Sequence, residues 1–126
     1  MELYKSGEDY LETILVLKNK LGQVRSIDVV NSLSYSKPSV SRAMSILKKG
    51  GYITIDKDGY IEFTESGLGV AEEIYHRHTT LEKWLISLGV APDIASQDAC
   101  NMEHVISQET FEKISVLLKN MKNRPA

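Results

Sequence analysis

The sequence predicts a mostly α-helical fold with one small β-hairpin. Apolar residues recur at helical spacing over most of the chain, and one stretch, 52–63, switches to strand, turn, strand. With 126 residues, 42% of them apolar and 25% charged, the chain can bury a core and is too apolar for a disordered segment.

The elements follow from local signals. Tyr10, Ile14 and Leu17 form one face of a helix from Glu8 to about Lys20, with Leu11 and Leu15 beside them, and Gly22 ends it. Ser26 is expected to cap a short second helix carrying Ile27, Val30 and Leu33. After a polar turn, Ser36 caps a third helix with Pro38 in its first turn and Val40, Ala43, Met44 and Leu47 on its buried stripe; Gly50-Gly51 stops it. Tyr52-Ile53-Thr54-Ile55 and Tyr60-Ile61-Glu62-Phe63 are strands joined by Asp56-Lys57-Asp58-Gly59. Thr64 caps a long helix to about Leu88, striped with Ala71, Ile74, Tyr75, Leu81 and Leu85. Ala91-Pro92-Asp93 opens a helix to about Val105, and Ser107 caps the last, with Phe111, Ile114, Leu117 and Leu118.

Helix, helix, turn, helix, hairpin is the order of a winged helix-turn-helix. We expect that unit over residues 1–70 and a helical dimerisation and metal-binding unit over 71–126. Charge divides the same way. Residues 23–57 carry Arg25, Lys37, Arg42, Lys48, Lys49 and Lys57 against Asp28 and Asp56, a net +4 inside a chain of net charge −2. Lys37, Ser39, Ser41, Arg42 and Ser45 fall off the third helix's apolar stripe, a hydroxyl-rich basic face suited to the major groove of duplex DNA. Lys57, at the hairpin tip, suits a phosphate. Tyr75, Leu81, Trp84, Leu85 and Leu88, with the last helix's stripe, give more apolar surface than one small unit needs and point to a homodimer.

A second set of residues points to a cation. Asp9 and Glu12 are three apart, and so share a helical face. Cys100, Glu103 and His104 stand at i, i+3 and i+4, and His78 lies on the long helix's stripe. Carboxylate, imidazole and thiolate together suit a divalent transition metal. Oxygen and nitrogen donors favour Mn2+ or Fe2+, and the thiolate favours iron, cobalt or zinc.

These residues carry a family resemblance. The chain resembles the iron- and manganese-responsive repressors of the diphtheria toxin repressor and manganese transport regulator type. The likeness runs through Glu8-Asp9-Tyr10-Leu11-Glu12-Thr13-Ile14, the recognition segment Ser36-Lys37-Pro38-Ser39-Val40-Ser41-Arg42, and His78 with Leu81-Glu82. It is most specific in Asp98-Ala99-Cys100-Asn101-Met102-Glu103-His104-Val105-Ile106-Ser107. The resemblance implies a dimeric repressor of metal-uptake genes that binds operator DNA when loaded with Mn2+ or Fe2+, with Co2+, Ni2+ or Zn2+ as substitutes in vitro. It implies Asp9, Glu12, His78, Cys100, Glu103 and His104 as metal ligands, Glu82 as an ancillary one, and the recognition segment with Lys57 as the DNA contacts. Asp9 and Glu12 match the manganese type, Cys100 the iron type, and Ser96 stands where the iron type has an ancillary histidine. The residues include no counterpart of the iron type's SH3-like domain.

Several classes are excluded or disfavoured. No apolar run approaches the roughly 20 residues of a membrane span, and charges within the first twenty residues argue against a secretory signal, so a cytoplasmic address is expected. A single cysteine agrees with a reducing compartment. No nucleophile–base pair or zinc-hydrolase histidine spacing suggests an enzyme, and no small-molecule substrate is expected. The rival readings are a winged-helix regulator that senses an oxidant or small ligand through Cys100, and an interaction module whose winged helix binds protein.

Overall fold

The computed structural model describes residues 5–122, in the order α1 (Lys5–Leu21), α2 (Ser26–Leu33), α3 (Lys37–Lys49), β1 (Ile53–Ile55), β2 (Ile61–Phe63), α4 (Glu65–Ser87), α5 (Pro92–Met102) and α6 (Gln108–Lys122). The chain divides into two compact units, Met1–Glu73 and Ile74–Ala126.

In the first unit three helices surround one apolar core. Leu11 and Ile14 of α1, Val29 of α2, and Val40 and Leu47 of α3 are all 1% exposed or less. Ile53 and Ile61, the inward residues of the two strands, close that core from the hairpin side. Each such side chain contributes about 1.5–3 kcal/mol by leaving water. The strands are antiparallel, pairing Ile53 with Phe63 and Ile55 with Ile61. The segment before α2 adds an edge the sequence reading lacked: Ile61 N–H donates to Val24 O at 2.7 Å, and Arg25 bridges to Tyr60. Lys18 fastens the wing to α1 by donating to Ile61 O at 3.1 Å and Glu62 Oε2 at 2.9 Å.

The caps at Ser36, Thr64 and Ser107 form. Their hydroxyls accept from the amides of Ser39 (3.2 Å), Gly67 (3.1 Å) and Thr110 (3.1 Å). Several boundaries differ from expectation, among them the start of α1 at Lys5 rather than Glu8 and strands that begin at Ile53 and Ile61 rather than Tyr52 and Tyr60. Ser26 is the first helical residue of α2, and Arg25 is its cap, with Asp28 Oδ2 accepting the Arg25 amide at 2.8 Å. The fifth helix stops at Met102 rather than near Val105, although Glu103 keeps a right-handed conformation and bonds Ala99 O at 3.0 Å.

In the second unit, Leu81, Leu85, Ala95 and Ala99 form a smaller core, with Trp84, Met102 and Ile114 packed against it. Leu81 and Leu85, expected at a dimer interface, are therefore used inside the unit. Leu88 (61% exposed) and Leu117 (50% exposed) remain at its surface. No helix among the described residues is long and apolar enough to cross a membrane.

Candidate metal centre and nucleic-acid face

Glu103 is the pivot of the candidate metal centre. It sits in the turn after α5, where its amide still follows helical bonding, and its side chain is fully buried. Its Oε2 lies 2.9 Å from His78 Nδ1 on α4, and its Oε1 lies 3.2 Å from His104 Nε2. The latter contact lacks hydrogen-bond geometry, so Oε1 accepts no hydrogen bond among the described residues. The other His78 nitrogen, Nε2, lies 3.0 Å from Glu82 Oε2, one helical turn on. Cys100 Sγ comes within 4.8 Å of the Glu103 carboxylate, one turn back along α5.

The chemistry of this cluster fits a cation. A buried carboxylate is costly unless paired or metal-bound. A neutral imidazole donates through only one nitrogen, so with Glu82 and Glu103 both ionised His78 satisfies the pair as an imidazolium or with a cation in place of a proton. Imidazole, carboxylate and thiolate are all ligands of divalent transition metals.

The second unit thus gathers His78, Glu103 and His104 around one carboxylate, with Glu82 on the outer nitrogen of His78 and Cys100 beside it. Asp9 and Glu12 lie on α1 of the first unit, three residues apart and half-buried.

The first unit carries the expected nucleic-acid face. Ser36, Lys37, Pro38, Ser39, Ser41 and Arg42 are all exposed at the start of α3, while Val40, Met44 and Leu47 anchor its other side. Ser36 also has a structural duty, because its hydroxyl caps the helix and donates to Ser39 Oγ at 2.9 Å. A groove of about 380 Å³ between α2 and α3 is lined by Ser26, Ile27, Val30, Lys37 and Ser41. Lys57 is exposed in the hairpin turn, which Asp56 stiffens by accepting from the amides of Asp58 and Tyr60, each at 2.9 Å.

Sequence reasoning passed over Arg77. It lies off the apolar stripe, yet it is half-buried and its guanidinium donates to the carbonyl oxygens of Glu103 and Ile106. The available signal was a lone cation next to His78 in a strongly acidic stretch.

A winged-helix unit followed by a helical unit with a buried imidazole–carboxylate cluster defines a class, that of DNA-binding regulators with a metal-type ligand set. Comparison with known proteins narrows it. Residues 2–64 match the iron dependent repressor N-terminal DNA binding domain, and residues 64–126 match the iron dependent repressor metal binding and dimerisation domain. The chain belongs to this family of metal-dependent, DNA-binding transcriptional regulators. It is 36% identical over 105 residues to the transcriptional regulator MntR of Salmonella typhimurium, covering 83% of this chain and 67% of that protein. It is 29% identical over 122 residues to an HTH-type transcriptional regulator of Methanocaldococcus jannaschii, covering 95% of this chain and 98% of that one. The structure of the manganese regulator SloR superposes with a TM-score of 0.79 at 26% identity, covering 94% of this chain. The chain spans 55% of the SloR chain's length. The relatives are transcriptional regulators rather than enzymes.

Proposed function

We propose that this chain is a manganese- or iron(II)-responsive repressor that binds operator DNA as a homodimer and silences metal-uptake genes. The observation that carries the reading is the buried Glu103 carboxylate set between the imidazoles of His78 and His104. We assign His78, Glu103, His104 and Cys100 to the ligand set, Glu82 to an ancillary position, and Asp9 and Glu12 to the same set, as the family resemblance implies. Oxygen and nitrogen donors favour Mn2+ or Fe2+; Co2+, Ni2+ and Zn2+ are substitutes in vitro.

When bound, the cation supplies the positive charge that offsets repulsion among the carboxylates. The residues do the rest. Glu103 and the two histidines hold a fixed donor geometry, and Asp9 and Glu12 would add carboxylate charge to the ligand set, as the family resemblance implies. Shifting the protein from 1:99 to 99:1 in favour of the DNA-binding state takes about 5.5 kcal/mol of differential affinity. Several charged ligands fixed in one arrangement can supply it.

On DNA, Ser39, Ser41 and Arg42 read the major groove. Ser36, Lys37 and Lys57 fix the register on the backbone, and Pro38 adds an apolar contact beside them. The surface apolar residues Leu88 and Leu117 support self-association of the helical unit. We assign the protein to the cytoplasm, with no membrane partner, small-molecule substrate or catalysis of its own. The test is a gel shift on duplex DNA with Mn2+, Fe2+ under anaerobic conditions, or peroxide. Metal-stimulated binding is expected. Binding controlled by peroxide alone would transfer the sensing role to Cys100, the reading the family match does not favour.

A further inference from the structure

We propose that Arg77 is a positioning residue for the metal centre, fixing the backbone of the turn that presents Glu103 and His104. The inference rests on the reading of His78, Glu103 and His104 as ligands.

The geometry is specific. α5 ends at Met102, so the carbonyls that follow have no partner within a helix. Arg77 supplies one. Its Nη1 donates to Glu103 O at 3.1 Å and to Ile106 O at 3.2 Å, and its Nη2 donates to Gln108 Oε1 at 2.7 Å. The guanidinium also lies 5.3 Å over the Phe111 ring, which fixes its plane. One side chain therefore spans both ends of the 103–106 turn and the first residue of α6.

Arg77 precedes His78 on α4. Two consecutive residues thus grip Glu103 at different atoms: His78 meets the carboxylate and Arg77 the backbone carbonyl. The carboxylate keeps its place while the backbone carrying it is held; past Glu103 the amides of Val105 and Ile106 both return to Met102 O, and it is Arg77 that engages the Glu103 carbonyl. A guanidinium suits the task, being always charged and presenting a rigid fork of donors. A lysine offers a single point of attachment at the end of a flexible stem. Residues that orient metal ligands typically cost 10–100-fold in metal affinity when removed.

The experiment compares the parent chain with Arg77→Ala, Arg77→Lys and His78→Ala. Mn2+ affinity is measured by electron paramagnetic resonance, and the Co2+ ligand-field spectrum by absorption. Thermal unfolding of the metal-free proteins serves as the folding control. The expected result is a 10–100-fold loss of Mn2+ affinity and a changed Co2+ spectrum in Arg77→Ala, a smaller loss in Arg77→Lys, and no specific binding in His78→Ala. Parent affinity and parent spectrum in a folded Arg77→Ala overturn the inference. If Arg77→Ala does not fold, Arg77→Lys and Arg77→Gln decide the matter by the same readouts, parent values again overturning it. Failure of the parent to bind either ion, or undiminished binding in His78→Ala, overturns the ligand assignment itself.

Discussion

The Glu103 carboxylate is fully buried and lies 2.9 Å from His78 Nδ1. A carboxylate in that setting is expensive alone and strongly favoured by a cation. Adding Mn2+ at about 100 times its dissociation constant should raise the parent's stability by about 2.7 kcal/mol. Glu103→Gln keeps the shape and removes the charge, so most of that gain should vanish. Calorimetric melting with and without Mn2+ checks this, and an equal gain in both proteins would remove Glu103 from the ligand set.

Arg42 and Lys57 are assigned different tasks on DNA. Arg42→Ala should cost about 1–3 kcal/mol on a specific site and little on random duplex. Lys57→Ala should weaken both equally and lower the salt slope by about one unit. Anisotropy titrations at several salt concentrations separate the two; uniform loss in Arg42→Ala would make it a phosphate contact.

Gly67 of α4 lies against the backbone of Tyr52, the residue before β1. A Cβ there would overlap the Tyr52 carbonyl oxygen and lie 2.7 Å from its carbon, and backbone cannot swing aside as a flexible side chain can. Gly67→Ala should therefore cost about 1–3 kcal/mol despite alanine's better helix propensity. A lowered urea midpoint is the expected outcome; an unchanged or raised one contradicts this packing.

Tyr10 gives a pH dependence. Burial, and secondarily the neighbouring Tyr35, raise its hydroxyl above the usual tyrosine pKa. The ring centroids are 6.0 Å apart in an edge contact. A raised acid pKa in the folded state means stability complete below the unfolded value near 10 and lost as pH climbs through the folded one. The alkaline decline should be shallower in Tyr10→Phe, as read by urea unfolding between about pH 9 and 11.

Much of the fold was legible because its signals are local. Ser36, Thr64 and Ser107 each accept an amide three residues on, a rule that needs no tertiary information. The Val24 and Tyr60 edge was not legible, because one backbone bond and one bridge leave no trace in hydrophobic period. Periodicity placed Leu81 and Leu85 on a buried stripe but could not say whether the neighbouring surface belongs to this chain or a second copy. The i, i+3, i+4 spacing of Cys100, Glu103 and His104 survived the early end of α5 because Glu103 keeps helical backbone angles. Arg77 escaped notice since its role lies in holding carbonyls distant in sequence.

The central claim is that metal bound by the His78, Glu103 and His104 cluster controls DNA binding. It is tested most directly by measuring affinity for a duplex selected from a random library in Mn2+, for the parent and His104→Ala, with Mn2+ and with chelator. The account predicts at least a tenfold gain from Mn2+ in the parent, about 1.4 kcal/mol, and none in a folded His104→Ala. Equal binding in all four conditions would contradict it.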